Sequence, residues 1–381
     1  MKIAFFSSSA DKKNGWGAVA SELCTSYFNF YRDELEFDLY LPKSEKNKGY
    51  TDNFSFVDKV HFTLPEFAWS FRNPKRLWNY VNNKALVGKT DLIHALDFPY
   101  AFSAMINSHK KIPYIITLCG TFYKPFKSFP DNFLFSKTYK QAVNVNAISN
   151  FTMNVAKQRY NISENKIDVV HAGVNYARFE KEVDIKELRE KYGVDKKIVI
   201  GVGALKSRKG FDIVIRAMQK VIKVVPNAIY VLVGSGTDEK SLKDLVKELK
   251  LEKIILFAGR VSDEELPAYF HMCDVYCHTP RNADGAFEGF GIVYLEAGAT
   301  GKPVVGSRSG GVPDAILDGK TGILVPENDI DSTAEAIIKI LKDQDLAKQM
   351  GEAGKKYAEN HRWNKIAGEY IKIYKKVLQI K

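Results

Sequence analysis

The sequence is poor in cysteine and has no long apolar run, and each absence excludes a class of protein. Its four cysteines, Cys24, Cys119, Cys273 and Cys277, are too few for a disulfide framework. Cys273 and Cys277 have no second ligand pair at zinc-binding spacing. The apolar runs fall well short of the ~18–20 residues that span a bilayer, and the first residues do not resemble a signal peptide. We therefore expect a cytoplasmic protein.

Motifs for nucleic acid and for metal are missing as well. Neither zinc-finger spacing nor an aromatic RNP-like strand accompanies the net charge of +11. A basic balance suits an anionic partner, such as a phosphorylated substrate or an anionic membrane, although a diffuse lysine excess also serves solubility. No Asp-x-Asp is placed between predicted strands so as to hold a divalent ion on a diphosphate. We expect no nucleic acid partner, no metal and no cofactor.

What the chain does contain is an alternation of short apolar strands and amphipathic helical stretches, which is typical of parallel sheets with helices on both faces. The predicted strands are 2–8, 35–41, 91–95, 112–118, 144–148 and 166–170, then 197–203, 228–233, 254–258, 274–278, 303–306 and 322–325. The predicted final helices are 330–343, 345–359 and 362–379. Between the two series, 172–196 holds a turn and a short charged helix. This segment is a linker candidate between two domains, the number that the length favours.

The strongest chemical signal is the segment 287–297, whose sequence is FEGFGIVYLEA. Glu288 precedes a predicted helix, whose first amides lack intrahelical partners and, with the helix dipole, suit a diphosphate. These amides belong to Phe290, Gly291, Ile292 and Val293. Glu296 is expected about two turns into the helix, roughly 10 Å further along. The segment would offer carboxylates to a sugar and a ribose; a glycine loop with two surface glutamates is the structural alternative.

This Glu-x7-Glu segment resembles the signature of family-4 retaining glycosyltransferases of the GT-B fold. Four other segments resemble that family in the same order: the donor-phosphate loop 201–210, the strand ends 233–236 and 257–261, and the loop 306–314. The likeness is strong over about 195–330 and weaker over 1–175. It implies an α/β protein of two facing Rossmann-like, doubly wound domains with a central cleft.

The resemblance also assigns domains and a reaction. It implies an acceptor-binding domain over 1–175, a nucleotide-sugar donor-binding domain over 195–358 and a C-terminal helix, 359–381, that crosses back to the first domain. A sugar would be transferred with retention at its anomeric carbon and without a metal ion. UDP is favoured in the donor, with GDP as the other candidate, and the acceptor would be a saccharide or a lipid-linked saccharide.

Site residues are carried over one by one. Glu288 would contact the donor sugar, Glu296 the ribose, and Lys209 would stabilise the leaving diphosphate by its fixed positive charge. The other donor contacts implied by the likeness are Gly17, Arg208, Gly234, Arg260 and Val261. Arg208 could equally be a solvated residue of the turn.

Two departures from the family pattern leave an alternative open. Ala204 stands where the family usually has an arginine, and Cys119 stands where it commonly has a histidine near the transferred sugar. Cys119 is thus a candidate catalytic residue, with small strand-end packing as the alternative. His94 and Asp97, in a related pattern, are expected to be structural or on the acceptor side. A non-catalytic nucleotide-sugar-binding subunit is the second hypothesis.

Aromatic and lysine residues alternate over 122–140. Such a segment could lie on an anionic membrane surface with its rings among the headgroups, which would make the protein peripheral on the inner membrane face. The alternative is a loop leading into a helix whose aromatic side chains are core. A membrane-bound scaffold is the least favoured function.

Overall fold

The computed structural model describes two compact units. Its described residues are 1–11, 15–46, 48, 57–66, 70–82, 87–96, 100–108, 111–120, 130–283 and 285–380. Unit 1 comprises Met1–Gly173 and Trp363–Lys381, and unit 2 comprises Val174–Arg362. Each unit has its own parallel sheet and helices, so the α/β class predicted from the alternating pattern is confirmed.

Unit 1 contains a seven-stranded sheet in which neighbouring strands run parallel. The strands are β1 Lys2–Phe6, β2 Glu36–Pro42, β3 Lys59–Leu64, β4 Leu92–Leu96, β5 Tyr114–Leu118, β6 Asn144–Ala147 and β7 Ile167–Val169. Their order is β3-β2-β1-β4-β5-β6-β7. The sequence pattern missed β3, because this edge strand is only half-buried and contains a lysine and a histidine.

Helices follow most of these strands, as parallel connections require. They are α1 Gly15–Phe30, α2 Pro74–Asn82, α3 Tyr100–Ser108, α4 Asp131–Gln141 and α5 Asn150–Tyr160. The start of α4 is fixed by Asp131, whose carboxylate accepts hydrogen bonds from the Ser70 hydroxyl at 2.5 Å and the Phe71 amide at 2.6 Å. The segment that precedes α2 is thereby attached to α4.

Unit 2 contains a six-stranded parallel sheet. The strands are β8 Lys197–Val202, β9 Ala228–Val233, β10 Ile255–Gly259, β11 Val275–Cys277, β12 Val304–Ser307 and β13 Gly322–Val325. Their order is β10-β9-β8-β11-β12-β13, so the direction of winding reverses between β8 and β11. In open sheets of this order, ligands bind outside the carboxyl ends of the strands at the reversal.

The helices of unit 2 cover its sheet. They are α6 Tyr176–Glu180, α7 Lys186–Tyr192, α8 Phe211–Val224, α9 Glu239–Glu248, α10 Leu266–Met272, α11 Ile292–Ala299, α12 Val312–Ala315, α13 Ile330–Lys342 and α14 Gln344–Asn360. The segment 172–196 holds two short helices, α6 and α7, where the sequence predicted one, and both belong to unit 2. Phe179 of α6 packs edge-on against Phe270 of α10, with ring centroids 5.5 Å apart.

The last helix, α15 (Trp363–Leu378), belongs to unit 1 although it follows unit 2 along the chain. Both ring nitrogens of His94 have hydroxyl partners: Nδ1 lies 2.6 Å from the Tyr374 hydroxyl, and Nε2 lies 2.8 Å from the Thr117 hydroxyl. The Thr117 hydroxyl in turn donates a hydrogen bond to the Tyr370 hydroxyl. Burial lowers the pKa of His94 to about 3, so the ring is neutral. His94 therefore has a structural role beneath α15. Among the described residues, no helix is long and apolar enough to cross a bilayer.

Candidate active site

The charged residues of the site follow β8 and β11, the two strands at the reversal of the unit 2 sheet. A tight turn, Ser207–Lys209, comes after β8, and a longer loop after β11 leads to Glu288. Lys209 Nζ lies 2.6 Å from Glu288 Oε2, and Arg208 Nη1 lies 3.2 Å from the same oxygen. Glu288 thus contacts two residues that precede it by 79 and 80 positions, at the edge of the sheet where ligands are expected.

The carboxyl group of Glu288 is held in its ionised form. Burial by itself raises its pKa, but the positive charges of Lys209 and Arg208 outweigh burial and bring the pKa to about 2. The Glu288 and Lys209 side chains are only 14% and 12% exposed, so salt screens their attraction less than it would at the surface. An ionised carboxylate only accepts hydrogen bonds, which suits the hydroxyl groups of a sugar.

The backbone of Glu288 is fixed by the loop after β12. The Gly311 amide donates to the Glu288 carbonyl at 2.8 Å. Gly310 has a φ of 53°, and a Cβ on it would lie 2.4 Å from that carbonyl oxygen. Glycine is therefore required for this close approach of the two backbones. The loop 306–314, which contains Gly310 and Gly311, thus positions Glu288.

The helix α11 begins at Ile292, directly after Gly291. Gly291 has a φ of 97°, and a Cβ on it would lie 2.7 Å from the ring of Tyr294. The amides of Ile292 and Val293 lie in the first turn of α11, where amides have no intrahelical partner, while Phe290 lies before the helix and is buried. This end of α11 offers the positive dipole that anions prefer.

Glu296 is the fifth residue of α11 and lies little more than one turn from its start. The prediction that Glu296 lies about two turns into the helix was wrong, because the helix begins only after Gly291. Burial raises the pKa of Glu296 to about 7, and the charge of Arg178 opposes this effect only in part. This carboxyl group therefore changes its charge near neutral pH.

Sequence reasoning missed His278, which follows β11 and is fully buried beside the site. Its Nδ1 lies 3.1 Å from the Tyr276 hydroxyl, and its ring stacks on that of Tyr294, with centroids 5.2 Å apart. The Tyr294 hydroxyl donates to the His278 carbonyl at 2.8 Å. Burial lowers the pKa of His278 to about 3, so a neutral ring supports α11 from below. A histidine directly after a strand was the only available signal.

Comparison with known proteins identifies the family. The model described as "Glycosyl transferases group 1" matches residues 184–357, and that described as "Glycosyltransferase Family 4" matches residues 30–178. The N-acetyl-alpha-D-glucosaminyl L-malate synthase of Bacillus anthracis is 30% identical over 298 residues, which cover 76% of this chain and 75% of that protein. The chain belongs to glycosyltransferase family 4.

Other relatives of this family-4 glycosyltransferase extend the comparison. A GDP-mannose-dependent alpha-(1-6)-phosphatidylinositol monomannoside mannosyltransferase of Mycolicibacterium smegmatis is 40% identical over 197 residues. That match covers 50% of this chain and 51% of the relative, so it spans about half of the relative's length. The Anabaena HepE structure, in complex with UDP and glucose, has a TM-score of 0.77 at 22% identity and covers 98% of this chain and 99% of its own. The predicted GT-B fold is confirmed.

Several predicted donor contacts of the glycosyltransferase lie along the same edge of unit 2. Gly234 follows β9 with a φ of 135°, and a Cβ on it would lie 2.0 Å from the Gly203 carbonyl oxygen. The Gly234 amide donates to the Gly259 carbonyl at 2.8 Å. Arg260 and Val261 follow β10, and Arg260 is exposed. The structure thus places these residues at the carboxyl ends of neighbouring strands, and their contacts with a donor stay predictions.

Gly17 and Cys119 belong to unit 1. Gly17 is buried in the first turn of α1, after β1, and Cys119 directly follows β5 and is half-buried. Cys119 is therefore at the carboxyl end of a parallel strand, and the roles of both residues stay predictions. Asp97 and the part of the aromatic segment over 122–129 lie outside the described residues.

Proposed function

We propose that this glycosyltransferase transfers a sugar from a nucleotide-sugar donor, bound by unit 2, to a saccharide or lipid-linked acceptor. The observation that carries the proposal is the partly buried ion pair of Lys209 and Glu288 beside the start of α11, at the reversal of the sheet. Lys209 and the first amides of α11 would hold the diphosphate, and Glu288 would accept hydrogen bonds from the sugar. Glu296 would bind the ribose.

The mechanism proposed is transfer with retention and without a metal ion. A diphosphate gains negative charge as the bond to the sugar breaks, and Lys209, Arg208 and the α11 dipole supply fixed positive charge for it. The departing phosphate would then take the proton of the acceptor hydroxyl. Transfer therefore does not require a catalytic acid or base at position 119, where this chain has a cysteine. The departures at Ala204 and Cys119 still support the alternative of a non-catalytic nucleotide-sugar-binding subunit.

For the nucleotide of the donor we propose two candidates, UDP and GDP. UDP is the more common of the two in such donors, and the HepE neighbour is in complex with UDP and glucose. The mycolicibacterial relative is named for GDP-mannose and for a phosphatidylinositol mannoside acceptor, whereas the Bacillus relative is named for malate. Both bases and both lipid-linked and small acceptors therefore belong in the first screen.

The test is slow donor hydrolysis in the absence of acceptor. The protein would be incubated with UDP- and GDP-sugars, and free UDP or GDP would be measured for the wild type and for Glu288→Gln. We expect release from one donor and a fall of about 100-fold in the variant. Glu335→Gln, at an exposed position of α13, is the matched control. Tight donor binding without release, with any acceptor tried, would favour the non-catalytic alternative.

We also propose contact with an anionic membrane through unit 1. In α4, Phe135 and Tyr139 are buried, as the core alternative for the aromatic segment required, while Phe133 is 57% exposed. In α2, Trp78 is 68% exposed beside the exposed Lys75 and Arg76, a combination suited to a headgroup region.

Vesicles of phosphatidylcholine, with and without phosphatidylglycerol, would test the membrane contact by cosedimentation. Trp78→Ser should weaken binding to the anionic vesicles, because the indole ring would no longer enter the interface. Phe30→Ser, at a residue 62% exposed on α1, serves as the control. Equal binding by the wild type and Trp78→Ser would remove α2 from the membrane surface.

A further inference from the structure

Arg281 lies in the loop after β11 and contacts neither Lys209 nor Glu288 by any described hydrogen bond, yet it holds the turn that carries Lys209. The Arg281 amide donates to the Arg208 carbonyl at 2.8 Å. Its Nε donates to the Ser207 carbonyl at 2.9 Å. Two consecutive carbonyls of the Ser207–Lys209 turn are therefore bound by one residue.

The rest of the guanidinium group is used as well. Its Nη1 donates to Asn328 Oδ1 at 3.0 Å, and its Nη2 forms an ion pair with the Asp212 carboxylate in the first turn of α8. Each of the three guanidinium nitrogens thus donates to a different residue, an arrangement that the single ammonium group of a lysine cannot reproduce. Because Asp212 neutralises the charge of Arg281, little of that charge remains to act on a ligand.

The loop that supplies Arg281 is itself well anchored. The Ser307 hydroxyl donates to the Pro280 carbonyl, and the Asn282 side chain donates to Glu327 at 3.0 Å. The turn, by contrast, contains few bonds of its own, among them Lys209 amide to Lys206 carbonyl at 2.8 Å. The anchored loop therefore fixes the turn, and the turn sets where the long Lys209 and Arg208 side chains begin.

We infer that Arg281 is a positioning residue for diphosphate recognition: it fixes the backbone from which Lys209 and Arg208 reach the phosphates of the donor. This inference rests on the proposed function of the site. Long cationic side chains lose rotamer entropy when they bind, and a fixed backbone confines them to the neighbourhood of the ligand beforehand. The effect is on the diphosphate and not on the nucleoside.

The chain offers a matched control in Arg189 of α7. Its guanidinium donates to the carbonyls of Met272, Val194 and Lys196 at 3.1, 2.7 and 3.1 Å, and its side chain is 24% exposed against 21% for Arg281. Those carbonyls precede β8 and β11, so Arg189 lies at the opposite edge of the sheet from the site. Loss of either arginine should cost similar stability, whereas only Arg281 should affect the diphosphate.

The experiment compares Arg281→Gln and Arg189→Gln with the wild type, using calorimetry with UDP, GDP, uridine and guanosine, and thermal unfolding. For Arg281→Gln we expect the affinity for the preferred diphosphate to fall about tenfold, equivalent to about 1.4 kcal/mol, with nucleoside affinity unchanged. Arg189→Gln should bind both as the wild type does. Diphosphate affinity in Arg281→Gln equal to that of Arg189→Gln would overturn the inference.

Two further variants separate geometry from charge and from folding. Arg281→Lys keeps a cation for Asp212 but cannot bond the Ser207 carbonyl in the same way, so it should regain stability without regaining diphosphate affinity; recovery of both would contradict the inference. If Arg281→Gln does not fold, Asn328→Gly provides the measurement, since it removes the acceptor of Arg281 Nη1 without changing the local charge and glycine tolerates the φ of 60° at this position; unchanged diphosphate affinity in that variant would contradict the inference. A wild type that binds neither UDP nor GDP would refute the proposed function itself, whereas binding that Arg281→Gln retains would refute only the role of Arg281.

Discussion

At the scale of single residues, two carboxyl groups on either side of one helix start have opposite pKa shifts. Lys209 and Arg208 bring the pKa of Glu288 to about 2, whereas loss of water contact raises the pKa of Glu296 to about 7, an effect that Arg178 opposes only in part. Glu288 therefore keeps its charge over the working pH range. Glu296, by contrast, changes its charge near neutral pH.

A prediction for Glu296 follows from linkage. Its pKa in the folded state is about 7, above the ordinary value of 4.5. Between these values the folded state retains a proton that the unfolded state releases, so the contribution of Glu296 to stability falls as the pH rises through this window. Glu296→Gln cannot ionise and should raise the melting temperature at pH 8 by about 2–4 °C, with little change at pH 4.

The same substitution should weaken nucleotide binding. An ionised Glu296 would accept bonds from both ribose hydroxyls in the proposed site. Wild-type affinity for UDP or GDP should therefore increase from pH 6 to pH 8 by more than that of Glu296→Gln, which keeps only the pH dependence of the ligand's own phosphate. Calorimetry at three pH values checks this expectation. A wild-type affinity that is flat across pH 6–8 would rule out an ionised Glu296 in the nucleotide site.

Residue-scale prediction from the sequence was possible where a motif was local. Glu288 and Glu296 stand in one continuous segment, and Lys209 in another, so their spacing was visible. Arg281 and His278 were missed because their significance depends on contacts distant in sequence, such as the bond between Arg281 and Ser207, 74 positions apart. Neither residue type in its local context indicates such a partner.

At the scale of elements, the start of α11 depends on one glycine. We predict that Gly291→Ala destabilises the protein by about 1–3 kcal/mol, because alanine is strained at a φ of 97° and its Cβ would meet the Tyr294 ring. Gly319→Ala is the matched control, since Gly319 has a φ of 72° with open space around its Cβ position. Equal losses in thermal unfolding would show that backbone strain alone matters and that the ring contact does not.

The sequence predicted most elements because βα alternation repeats with clear apolar strands. It missed β3, at the sheet edge, and counted one helix where α6 and α7 stand, because these helices have only five and seven residues. Periodicity needs about two turns of helix to be recognisable. The start of α11 at Ile292 could not be predicted from the sequence either, since only the φ of Gly291 shows that the preceding residues are not helical.

At the scale of the whole molecule, α15 is attached to unit 1 by buried polar bonds. Tyr374→Phe would remove the hydroxyl that lies 2.6 Å from His94 and 2.9 Å from the Tyr27 hydroxyl. Leaving such groups unpaired should cost about 1–3 kcal/mol of stability, while affinity for UDP or GDP, which we propose that unit 2 binds, should not change. Lys372→Ala, at an exposed position of α15, is the control. A large loss of nucleotide affinity in Tyr374→Phe would place part of the nucleotide site elsewhere.

The position of α15 in the chain has a consequence for synthesis. Unit 1 contains residues that precede unit 2 along the chain and residues that follow it, whereas all of unit 2, 174–362, emerges from the ribosome in one continuous stretch. The ends of that stretch are joined, because the Val174 amide donates to the His361 carbonyl at 2.8 Å. Unit 2 can therefore be complete while unit 1 still waits for Tyr374, and the order of maturation along a nascent chain, usually from the amino terminus onward, would be reversed here.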